Sequence, residues 1–139
     1  MSVPKDHSLK LAGNEIEAAN RAEVTVLLIR AGYRLYRPEA DTEGEDLVVR
    51  TARGKLLAVQ LKSRMTVNQE KYGSKSLWML FPEGPFKNDV RRKWFLVPHD
   101  KLYEVLKRKH GKAPAFVSGW SAANVPKDVG KALAKFKIP

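Results

Sequence analysis

The stretch GEDLVVRTARGKLLAVQLKSR, residues 44–64, places one acidic residue before an apolar run and ends the next apolar run on a glutamine and a lysine. β-Branched and aliphatic residues dominate on both sides of 51–55, and Gly54 can supply a positive φ. The spacing therefore predicts a hairpin with 51–55 as its loop. Strand side chains alternate between faces. Leu47 and Val49 share one side, continued on the partner strand by Leu57, Val59 and Leu61; Asp46, Val48 and Arg50 take the other, with Leu56, Ala58, Gln60 and Lys62. One face is wholly apolar and the second carries every polar group. With 51–55 in the loop, Asp46 falls opposite Gln60, about 5 Å away between Cβ atoms, and Lys62 joins them on the same surface. A one-residue slip would move five apolar side chains to the polar side at roughly 1.5–3 kcal/mol each, so the register is strongly specified.

Outward from the hairpin, NEIEAANRAEVTVLLIRAG reads as a helix with Asn14 as N-cap, an apolar stripe at Val24, Leu27, Leu28 and Ala31, and Gly32 as its stop. YRLYRP is a short strand ended by Pro38, and residues 39–45 are a polar loop. After Arg64 the polar stretch MTVNQEKYGSK reads as irregular. SLWMLFP and KWFLVP extend the sheet, each closed by a proline and separated by a loop over 83–92. HDKLYEVLKRKHG has a helical pattern with Asp100 as N-cap and Gly111 as its stop. PKDVGKALAKFKI is a further helix weakened by Gly130.

The length of 139 residues fits a single domain over 1–139, with 1–12 as a flexible N-terminal segment. There is no cysteine, which excludes disulfides and thiolate metal sites. The N-terminus has no signal-peptide apolar region and no run approaches the ~20 apolar residues of a membrane span. The expectation is a soluble, cytoplasmic protein with no membrane partner. Lys and Arg number 26 against 15 Asp and Glu, a formal charge of +11. Such an excess favours an anionic partner, nucleic acid before a membrane surface. Arg64, Lys71, Lys75, Lys87, Arg91, Arg92 and Lys93 fall in loops flanking the sheet, and of these Arg64, Lys71, Lys75, Arg91 and Arg92 are the candidate nucleic-acid-binding residues. Lys127, Lys131 and Lys135 recur every four residues near the C-terminus. Trp78, Trp94, Phe81 and Phe95 lie in apolar strands and read as core. His7, His99 and His110 have no ligand spacing, which argues against zinc.

A helix bearing glutamates, then GYRLYRP, DLVV and VQLKSR, resembles the PD-(D/E)XK nuclease superfamily. The resemblance runs over residues 14–64 and continues afterwards by element order. It implies an α/β restriction-endonuclease-like fold, an α-β-β-β-α-β core with a central mixed sheet flanked by helices. Asp46 matches the metal-binding aspartate, and Gln60-Leu61-Lys62 matches the (D/E)-x-K element in the variant where glutamine replaces the acid. The implied activity is an Mg2+ (or Mn2+)-dependent endonuclease on DNA, a fold type that often dimerises to cut both strands.

The residue types suit phosphodiester hydrolysis, because a hard divalent cation takes oxygen ligands beside a phosphate. Asp46 offers a carboxylate, Gln60 a neutral side-chain carbonyl oxygen, and Lys62 a positive charge for the attacking water or the transition state. The helix glutamate that completes such a site falls at Glu17, counting back along the stripe from Leu28 through Val24 and Arg21. Glu17 also stands three residues after Asn14, where it would close a capping box, so ligand and cap are both open. Arg21 occupies the position where an acid would be expected, and Gln60 is uncharged. Both features suit a noncatalytic nucleic-acid-binding domain as the alternative, and an accessory subunit of a DNA-processing or defence system is a third reading.

Overall fold

The hairpin forms with the expected register. In the computed structural model, which describes residues 10–40, 45–87 and 91–139, strand β2 (Leu47–Arg50) pairs antiparallel with β3 (Leu56–Leu61), Leu47 against Val59 and Val49 against Leu57. The turn is closed by the Thr51 N–H donating to the Lys55 carbonyl at 2.8 Å, and Gly54 takes a φ of +88° that a side chain would resist.

Helix α1 (Gly13–Arg30) precedes the sheet. Its N-cap is Ala12, not Asn14. Ala12 has no side-chain acceptor, and the Glu15 carboxylate takes the Ala12 N–H at 2.9 Å. The capping role considered for Glu17 thus belongs to Glu15. The helix stops at Gly32, φ +93°, as the Tyr33 N–H returns to the Leu28 carbonyl. Strand β1 (Arg34–Tyr36) then pairs antiparallel with the outer edge of β2.

The connection beyond β3 departs from the irregular stretch expected. It holds strand β4 (Met65–Asn68) and a single helical turn, α2 (Gln69–Tyr72), before β5 (Leu77–Pro82) runs parallel to β3. β6 (Trp94–Pro98) pairs antiparallel with β5, giving a mixed five-stranded sheet in the order β1-β2-β3-β5-β6. Helix α3 (His99–His110) follows without a loop. Pro98 is its N-cap, and Asp100, the expected cap, lies in the first turn, where its carboxylate accepts the Ser74 N–H at 3.1 Å. Strand β7 (Gly119–Ala122), not anticipated, pairs antiparallel with β4 as a separate two-stranded ribbon. Helix α4 (Lys127–Ala132) carries Lys127 and Lys131, whereas Lys135 sits on a 3-10 turn (Ala134–Phe136).

The expected loops over 39–45 and 83–92 lie partly outside the described residues, at 41–44 and 88–90, as does the N-terminal segment up to residue 9. No helix among the described residues is long and apolar enough to cross a membrane.

Each face of the sheet has its own core. On one, Val24 and Leu28 of α1 pack on Leu47, Val49, Leu57 and Val59, with Leu80, Trp94 and Leu96 beyond; Leu61 is partly buried at the margin. On the other, Leu102, Val105 and Leu106 of α3 and Val129 of α4 cover Met79, Phe81, Phe95 and Val97, and Met65 and Val67 of the ribbon join them. That second cover stops short of the β1–β2 edge, so Leu56 is 62% exposed.

Leu28→Ala should cost about 2–5 kcal/mol, since it removes a fully buried side chain between helix and sheet. Leu56→Ala should stay within about 0.5 kcal/mol. Urea unfolding of the two variants checks the contrast.

Candidate active site

Where β2 begins and β3 ends, the side chains leave the apolar layer and line a cleft of about 330 Å³. Its walls are Asp46, Gln60, Leu61, Lys62 and Ser63 from the hairpin side and Glu17, Asn20 and Arg21 from α1. The helix residues stand at i, i+3 and i+4 on the stripe that continues into Val24 and Leu28. Packing that stripe on the sheet brings its polar N-terminal end over the hairpin's polar end. Glu17, Asp46, Gln60 and Lys62 therefore share one cavity; Glu15 and Glu23 do not line it.

Each hairpin residue is held by main-chain bonding. Asp46 lies just before β2, its N–H donating to the Val59 carbonyl at 2.8 Å, and its Oδ2 accepts the Leu61 N–H at 3.0 Å. The carboxylate is thereby fixed against the strand that carries Gln60 and Lys62. The Lys62 N–H donates to the Leu80 carbonyl of β5 at 2.8 Å, which prolongs the parallel pairing to the last residue of the motif. The Lys62 ammonium lies 5.3 Å from the centre of the Tyr72 ring. Ion pairs among the described residues involve Arg92, His99, Arg108 and Lys109; in the cleft, Lys62 and Arg21 bring two positive charges beside the Glu17 and Asp46 carboxylates.

The donor set of the cleft is all oxygen: two carboxylates, Glu17 and Asp46, and the Gln60 amide. That chemistry fits a hard divalent cation and not a soft one. No group of three His, Cys, Asp or Glu side chains converges anywhere among the described residues, so any ligand set here depends on the neutral Gln60 oxygen.

One candidate nucleic-acid contact must be corrected. Arg92, expected in a solvent-facing loop, is buried, with a side chain only 3% exposed. Its guanidinium pairs with Glu23 at 3.1 Å and donates to the Gly84 carbonyl at 3.0 Å and to Asn20 Oδ1, and Trp94 Nε1 donates to the same Glu23. A guanidinium committed to three partners inside the protein is not offered to phosphate. It clamps Asn20, a wall of the cleft, and Glu23 against β6. Arg64, Lys71, Lys75 and Arg91 are exposed. Sequence reasoning missed Asn20 and the Arg92–Glu23 pair; the i+3 spacing of Asn20 from Glu17 was the available signal.

Over 90% of this chain and 94% of the other, the structure matches that of a bacterial homing endonuclease, I-Ssp6803I, with a TM-score of 0.54 at 15% sequence identity. The two share a fold. No protein-family model matches the sequence, and no curated protein does.

Arg92→Ala should destabilise the protein by about 3 kcal/mol or more, because it removes the guanidinium that pairs with Glu23 and bonds to Asn20 inside the protein. Arg91→Ala, one residue away and exposed, should change stability by less than about 0.5 kcal/mol. Thermal and urea unfolding of the two variants read the difference.

Proposed function

We propose that the chain is a metal-dependent endonuclease of the PD-(D/E)XK type, in its QxK variant, hydrolysing phosphodiester bonds in DNA. The observation that carries the reading is the convergence of Glu17, Asp46, Gln60 and Lys62 on one cleft in a chain that shares its fold with a homing endonuclease. The charge of +11 supports an anionic substrate.

Asp46, Gln60 and Glu17 would hold Mg2+ or Mn2+ through oxygen. A divalent cation there supplies Lewis-acid charge beside the scissile phosphate. Lys62, anchored by its main chain to β5, holds its ammonium beside the charge that grows as the phosphate is attacked, where a fixed cation lowers the barrier most. Arg21 supplies a second positive group and orients a phosphate oxygen; its planar fork suits that task. Asp46 cannot turn away from the site without giving up the Leu61 N–H. Cutting both strands of a duplex takes two such clefts, so the reading includes a homodimer on DNA.

Gln60 and Arg21 favour a second reading, a DNA-binding domain that keeps the fold without catalysis. A neutral oxygen binds a divalent cation less strongly than a carboxylate, and Arg21 adds positive charge to the same cleft. Incubating the protein with a mixed panel of nucleic acids in Mg2+ or Mn2+ separates the readings: metal-dependent cleavage is expected, and tight DNA binding without it would establish the second.

Lys62→Ala should lower the cleavage rate by about 10²–10³-fold or more while leaving the fold intact, as a single-turnover assay with a circular dichroism control would show. Gln60→Glu should tighten Mn2+ binding in calorimetric titration, since it converts a neutral ligand into a charged one. Unchanged affinity would remove Gln60 from the ligand set.

A further inference from the structure

A second cavity adjoins the cleft. It is a groove of about 540 Å³ between the β4–β7 ribbon and α2, and Lys62 lines both spaces. We propose that this groove is the subsite for a nucleotide flanking the scissile phosphate, with Lys71 against its phosphate and the Trp120 ring against its base. The proposal rests on the nuclease reading of the adjoining cleft and assigns its substrate a path.

Charge is the first reason. The Lys62 and Lys71 ammonium groups lie 5.3 and 5.4 Å from the centre of the same Tyr72 ring, and neither has a salt-bridge partner among the described residues. No Asp or Glu among the described residues lines the groove. Two cations held at one ring beside an acid-free lining give an anion in the groove a favourable charge environment.

Shape and rigidity are the second reason. Trp120 forms part of the wall, and its ring is held in place by His110, 4.2 Å between centroids and 13° between planes, and by Phe116 at 6.0 Å. Thr66 and Ser121 face each other across the ribbon, their hydroxyl oxygens 3.2 Å apart, and supply polar wall. The backbone under Lys71 is pinned. Its N–H donates to Asn68 Oδ1 at 3.0 Å, and the Asn68 N–H donates to Nε2 of the buried His99 at 3.0 Å. A basic groove with a rigid aromatic wall suits a nucleotide of an extended strand better than it suits a basic protein segment, which would find no acid among the described residues that line it.

Because the groove lies on one side of Lys62, its effect must be one-sided. The test uses the full chain and labelled oligonucleotides of defined cut site, trimmed stepwise from either side of that site, with binding followed by fluorescence anisotropy in EDTA so that it is read apart from cleavage. Lys71→Ala should weaken binding about 5- to 100-fold and lower the slope of log K against log salt by about one, but only for DNA retaining nucleotides on one side; Lys71→Arg should restore most of it. Photocrosslinking of 5-iododeoxyuridine DNA should label Trp120. If Trp120→Leu disturbs the fold, Lys71→Ala, on an exposed side chain, decides alone. Unchanged binding, or an equal loss whichever side is trimmed, overturns the groove, and does so without touching the nuclease reading if Lys62→Ala still stops cleavage. A one-sided effect in a protein that cleaves nothing in Mg2+ or Mn2+ upholds the groove as a nucleotide site and overturns the nuclease reading.

Discussion

The pairing register of β2 and β3 is the constraint on which the rest of the molecule depends. Leu47, Val49, Leu57 and Val59 can reach α1 in only one register, and in that register Asp46 stands opposite Gln60 at the hairpin's open end. The apolar half of the pattern thus places the polar half. Moving the chain by one residue would empty the core and scatter the cleft in the same step, so burial energy, not any attraction among the polar residues, holds Asp46, Gln60 and Lys62 together.

A second device sets the height of α1. The helix meets the sheet through Val24 and Leu28, a contact that tolerates some sliding, whereas the Arg92 guanidinium bonds to Asn20, Glu23 and Gly84 in fixed directions. Directional bonds from a planar group determine position where apolar packing determines only contact. Asn20 is both a partner of Arg92 and a wall of the cleft, so the same bond that seats the helix sets how Glu17 and Arg21 overhang the hairpin.

The features legible in the sequence were those with a short period. Alternation over 46–62 disclosed the hairpin, its faces and its register; helical spacing disclosed the stripe of α1 and the position of Glu17; and the resemblance over 14–64 implied the mixed sheet that the structure contains. What stayed hidden depends on partners far along the chain. Met65–Asn68 is too short to declare itself a strand without Gly119–Ala122, and GWSA offers little strand character of its own. Arg92 looked like its exposed neighbours Arg91 and Lys93 because nothing local distinguishes a buried arginine from a solvated one; only the approach of α1 does. The helix start was misread for a related reason. Asn14 is the better cap by type, yet the chain enters the helix at Ala12 and Glu15 closes the turn.

The pairing of β4 with β7 also has a consequence for the order in which the molecule is assembled. During synthesis α1, the hairpin, β5, Arg92 and β6, which carry the cleft and bury its foundation, are all made before residues 119–122. The cleft can take shape on a growing chain, but the groove beside it needs a strand from each half and closes only when the second half arrives. A nascent chain that already holds Lys62 in place has nothing yet opposite β4.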